Sequence, residues 1–126
     1  MKVLQIIDCA YRATIEEQDD TIVWLTHAMK GAGGDFSVLL AANAVNYAVK
    51  GQDSSGLAIG DWKQTQPPRL ANDIASLIGK GIVVYALREE LAERGLKDHD
   101  LIDGIERIGR ESLPQLLGEH DQVWHW

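Results

Sequence analysis

The residue best equipped for chemistry in this chain is Cys9, its only cysteine. It stands directly after the apolar run Val3-Leu4-Gln5-Ile6-Ile7-Asp8, where a first β-strand should give way to a loop. In open α/β sheets the ligand crevice lies outside the carboxyl ends of the strands, so a thiol there has the position of a nucleophile or sulfur carrier. The competing use is a small buried hydrophobe. Unpaired cysteine is among the most buried residue types, and burial is the first expectation. A reactive role needs a thiolate, which Arg12 and Arg88 would favour if the loops bring them to the strand end. Tyr11, Arg12, Asn43, Asn46 and Arg88 are the candidate polar contacts for a small ligand in the same crevice.

Other chemistry-bearing patterns are weaker. Gly31-Ala32-Gly33-Gly34 follows a helix and precedes a strand, the reverse of the order a phosphate loop needs, so these glycines read as a helix stop. His27, His99, His120 and His125 are dispersed and have no second cysteine to join them, so no metal site or cofactor is expected. Ser54-Ser55-Gly56 does not follow a strand and is no nucleophile elbow. The acidic pairs Glu16-Glu17, Asp19-Asp20 and Glu89-Glu90 read as solvated helix starts rather than general acids or bases. Trp24, Trp62, Trp124 and Trp126 fall on a helix, a loop and the final segment, placements common at interfaces, and point to oligomerisation.

Strand and helix signals alternate to position these residues. Residues 2–8 form the first strand, and Asp19-Asp20-Thr21 caps a helix whose inward face is Ile22, Leu25, Met29 and Ala32. Phe36 to Leu40 is a second strand, followed by a short helix around Ala44 to Ala48. Gly51 to Arg69, with Pro67-Pro68, reads as a long loop with room for a helical turn. A helix from Leu70 with Ile74, Leu77 and Ile78 inward ends at Gly79-Lys80-Gly81. Ile82 to Leu87 is apolar throughout, the mark of a central parallel strand buried on both faces. A helix from Arg88 to Arg94, a short strand at Ile105 to Ile108, a helix from Glu111 to Leu117 interrupted by Pro114, and a strand from Gln122 to Trp126 complete the chain. The alternation predicts one domain over residues 1–126, a three-layer α/β/α sandwich around a mostly parallel sheet of about five strands.

The 126 residues suffice for a core without disulfides. Nineteen acidic against twelve basic side chains give a net charge of −7, which repels phosphate backbones and anionic lipid. Neither nucleic acid nor membrane is therefore expected as a partner. No apolar stretch approaches the roughly 20 residues of a membrane span and no leader is recognisable, so the expected location is cytoplasmic.

Lys80 to Leu96, Lys-Gly-Ile-Val-Val-Tyr-Ala-Leu-Arg-Glu-Glu-Leu-Ala-Glu-Arg-Gly-Leu, resembles the strand, turn and helix of the DsrE/DsrF/DsrH-like family, which includes the sulfur-relay proteins TusB, TusC and TusD. Ile105 to Ile108, Leu113 to Leu117 and Glu119-His120-Asp121-Gln122-Val123-Trp124 resemble the ending of its TusB/DsrH branch. The resemblance implies a cytosolic subunit of a homo- or hetero-oligomer, trimeric or hexameric, working with DsrE-like subunits and a sulfur-carrier protein. It also implies a persulfide-bearing cysteine where the strand Ile82 to Leu87 enters the next helix, and this chain has Leu87 and Arg88 there. A non-catalytic member of a sulfur-relay assembly is thus the first expectation. A sulfurtransferase-like carrier using Cys9 is the second, and a small-molecule binding or regulatory module on the same fold the third.

Overall fold

The computed structural model describes residues 1–11, 20–53 and 55–126. Strands β1 (Lys2–Ile7), β2 (Asp35–Leu40), β5 (Val83–Leu87), β6 (Glu106–Ile108) and β7 (Gln122–His125) form one sheet in the order β6-β5-β2-β1-β7. Every pairing in it is parallel. Helices α1 (Thr21–Gly31), α2 (Leu70–Gly79), α3 (Arg88–Glu93) and α4 (Leu113–Gly118) connect the strands, with a 3₁₀ helix at Ala42–Ala48 after β2.

The alternation of side chains along each strand divides the core in two. On one face, Ile7, Val38, Leu40, Val84 and Ala86 pack against α1, α2, the 3₁₀ helix and Leu91 of α3. On the other, Leu4, Leu39 and Leu87 meet Leu113 and Leu116 of α4. The second cover is thin. Val83 and Tyr85 are only half-buried and Val123 is exposed, so β5 is not enclosed on both faces as its apolar run predicts.

Three further expectations change. The buried stripe of α1 is Ile22, Val23 and Thr26, whereas Leu25 and Met29 are half-buried and Ala32 is exposed at the C-cap. A polar core residue hides this stripe from hydropathy: the Thr26 hydroxyl donates to Ile22 O at 2.8 Å and accepts from the Gln5 amide at 2.7 Å. The long loop holds a hairpin, β3 (Ala58–Ile59) with β4 (Trp62–Lys63), rather than a helical turn, and Gly60 at φ +58° makes the tight reversal. Pro114 opens α4 at its first turn instead of interrupting it, because the missing N–H of a first-turn proline has no intrahelical role. Arg110–Ser112 forms a separate 3₁₀ turn ahead of it.

This architecture creates a switch point. After β5 the chain turns to the first face as α3, whereas after β6 it turns to the opposite face as α4. The two strands are neighbours, so a crevice opens between their diverging carboxyl-end connections, where ligands bind in such sheets.

Candidate functional site at the carboxyl edge of the sheet

Cys9 lies just beyond the last rung of β1, where Asp8 N–H donates to Trp126 O at 3.3 Å. It is exposed, contrary to the expectation of burial. The cause is its position past the final ladder bonds, outside the layer of helices that covers Ile7. Beside it His125 Nε2 is 2.7 Å from Asp8 Oδ2, a pair formed because β7 runs parallel to β1.

The loop after Cys9 is pinned from below. Tyr11 has a left-handed backbone at φ +61°, uncommon for a side chain of its size. Its N–H donates to the hydroxyl of Tyr47, the two rings meet edge to face at 5.4 Å, and the Tyr47 hydroxyl donates to Asp20 Oδ2 at 2.5 Å. Asp20 is fully buried and also caps α1 by accepting from Ile22 N–H and Val23 N–H. The Tyr11 hydroxyl donates to Gln52 Oε1 at 2.9 Å, and Gln52 donates in turn to Asn46 O and Val49 O. Desolvation raises the Tyr11 phenol above its ordinary pKa, which keeps it a donor.

The switch-point crevice is bridged by the chain's own charges. Arg110 N–H donates to both Glu89 carboxylate oxygens at 3.1 Å, and the Arg110 guanidinium donates to Glu90 Oε1 at 2.9 Å. Arg94 holds the other Glu90 oxygen at 3.1 Å and reaches Asn43 Oδ1 at 2.8 Å. Hydrogen bonding from its own amide and from Arg110 N–H lowers the Glu89 pKa. The Arg110 guanidinium lowers that of Glu90. Both are therefore anionic at neutral pH.

Three of the candidate ligand contacts form one chain, with Asn46 Nδ2 donating to Asn43 O at 2.9 Å, and Arg88 stands apart from it. Tyr11 and Asn46 join through Gln52, Asn43 belongs to the Arg94–Glu90 network, and Arg88 is exposed at the start of α3 with Glu111 at 4.0 Å. Arg12 lies outside the described residues, as do Ser54 and the acidic pair Glu16-Glu17. Gln52, Tyr47, Asp8, His125 and Arg110 were not legible as site residues. Asp8 and His125 are 117 positions apart, and only strand order brings them together. Among the described residues no three His, Cys, Asp or Glu side chains form a group able to hold a metal ion. No helix among them is long and apolar enough to cross a membrane.

No family model and no curated protein matches the chain by sequence. Solved structures match its fold. YchN from E. coli superposes with a TM-score of 0.73 over 100% of both chains at 18% identity. MTH1491 from Methanobacterium thermoautotrophicum, described as a protein of unknown function, gives a TM-score of 0.69 at 14% identity. That match covers 99% of this chain and 98% of the other. Both neighbours have the DsrE/DsrF-like fold, so the α/β sheet expected from sequence is the one observed. At such identities the likeness is one of fold alone.

Proposed function

We propose that this chain is a non-catalytic, DsrE-like subunit of a cytoplasmic sulfur-relay or sulfur-metabolism assembly. The observation that carries the reading is the junction of β5 with α3. Leu87 is buried and Arg88 is exposed where the resembled family bears its thiol, and the crevice beside them is bridged by Arg110, Glu89 and Glu90. Such an edge is suited to contact rather than to transfer. The thinly covered second face and the exposed rings of Trp24 and Trp62 supply apolar surface for DsrE-like neighbours, in a trimer or hexamer of like or unlike chains, and for a sulfur-carrier protein. The test is solution mass together with capture of DsrE-like chains from the source cell. A trimer or hexamer, or a mixed complex with such chains, is expected. A stable monomer at micromolar concentration that captures none would overturn the proposal.

The exposure of Cys9 favours a second reading, a persulfide carrier. Its thiolate would attack the outer sulfur of a donor persulfide, forming Cys9–S–SH and releasing the donor as a thiolate. Intact mass after incubation with a persulfide donor decides it. One added sulfur on the wild type, absent from Cys9→Ser, would replace the non-catalytic reading, and an unmodified wild type would remove the carrier.

A further inference from the structure

A pocket of about 440 Å³ lies between α3 and the edge strand β6, on the side away from Cys9. Its volume falls in the range of small-molecule sites. Leu91 and Leu96 supply an apolar wall, and Arg88, Lys97, His99 and Arg107 supply the polar rim. The only carboxylate in the lining is Asp98, which is already paired with Arg107.

The balance of charge there is opposite to that of the molecule. Three cations face one carboxylate in a chain of net charge −7. Lys97 has no ion-pair partner among the described residues, and Arg88 has only Glu111 at 4.0 Å, with both side chains largely in solvent. Arg107 keeps further N–H donors after meeting Asp98, because a guanidinium carries five. The positions are independent of one another: Arg88 opens α3, Arg107 lies on β6 opposite Ala86 of β5, and Lys97 lies in the turn that follows α3. Three elements thus converge their cations on one apolar-walled hollow.

We infer that this pocket binds a small organic oxyanion, a phosphate ester or carboxylate on an apolar body. The oxyanion accepts charge-assisted hydrogen bonds from Lys97, Arg107 and Arg88, and the apolar body packs on Leu91 and Leu96. The inference does not depend on the sulfur-relay reading, since it uses neither Cys9 nor an oligomer.

Titration at low ionic strength, where partly exposed charges are least screened, tests it with phenyl phosphate, benzoate and inorganic phosphate as probes. Amide chemical shifts of the intact protein give the readout. Saturable shifts confined to residues 88–107 are expected with phenyl phosphate or benzoate, and the tighter of the two identifies the headgroup. Lys97→Gln and Arg107→Gln should each weaken that binding by about tenfold, the effect of losing one charge-assisted contact, while Lys63→Gln on the distant hairpin should not. Each variant's unliganded spectrum and melting temperature establish that it is folded. Absence of saturation at about 10 mM, a free energy near −3 kcal/mol by RT ln Kd, would overturn the inference. So would inorganic phosphate binding as tightly as phenyl phosphate, or affinity unchanged in both pocket variants.

Discussion

Asp20 has no exposed surface, yet it meets three donors, two backbone N–H groups of α1 and the Tyr47 hydroxyl. Removing it takes away a helix cap, worth about 1 kcal/mol, and deprives the buried Tyr47 hydroxyl of its Asp20 acceptor, at about 1–3 kcal/mol. Asp20→Ala should therefore lose about 2–4 kcal/mol in urea unfolding, and a loss under 1 kcal/mol would contradict the network. The sequence showed Asp20 as a cap but not as the anchor beneath the Cys9–Tyr11 loop, because Tyr47 lies 27 positions away. Cys9 teaches the converse lesson. Residue type favoured burial, but position past the last ladder bond decided for exposure.

The strands of the main sheet were the most legible elements. Between Ile102 and Ile105 the chain reverses, with Ile105 N–H donating to Ile102 O and Gly104 at φ +94°. A Cβ at Gly104 would stand 2.8 Å from Ile78 Cγ2 of α2. Gly104→Ala should thus cost about 1–3 kcal/mol through backbone strain and the displaced Ile78 side chain, read as a lower denaturant midpoint with an unchanged slope. The inward face of α1 was misplaced because Thr26 and Gln5 satisfy each other inside the core, and hydropathy does not register a paired polar group. The hairpin at Ala58–Lys63 leaves no hydropathy signal, because its strands are two residues long, too short for a period to register. The switch point lay beyond sequence altogether, since it depends on which face each helix takes.

The charged bridge across the carboxyl edge ties α3 to the turn after β6 and gives the whole molecule a dependence on pH. Glu89 and Glu90 have folded pKa values below those of free carboxyls, so the stability they contribute is complete above the unfolded value of about 4.3. It is lost as the pH falls through their lower folded values. Arg110→Gln should make unfolding less sensitive to pH below about 4.3, with a small, salt-dependent loss at neutral pH. Denaturant midpoints at pH 7 and pH 3 measure it, and parallel losses in wild type and variant would refute the coupling. The order of the sheet sets a different constraint, one of time. β1 lies between β2 and β7, and Lys2 O accepts from Asp121 N–H at 2.8 Å. A chain emerging from the ribosome can therefore pair residues 2–7 with β2 early, but the other edge of β1 waits until residues 121–125 have been made. Until then the Gln5 amide lacks the Trp126 indole that donates to it at 2.8 Å, and Phe36 lacks the ring of Trp124. Pairing of that edge thus follows the synthesis of β7, and the fluorescence of Trp124 and Trp126 is placed to report it.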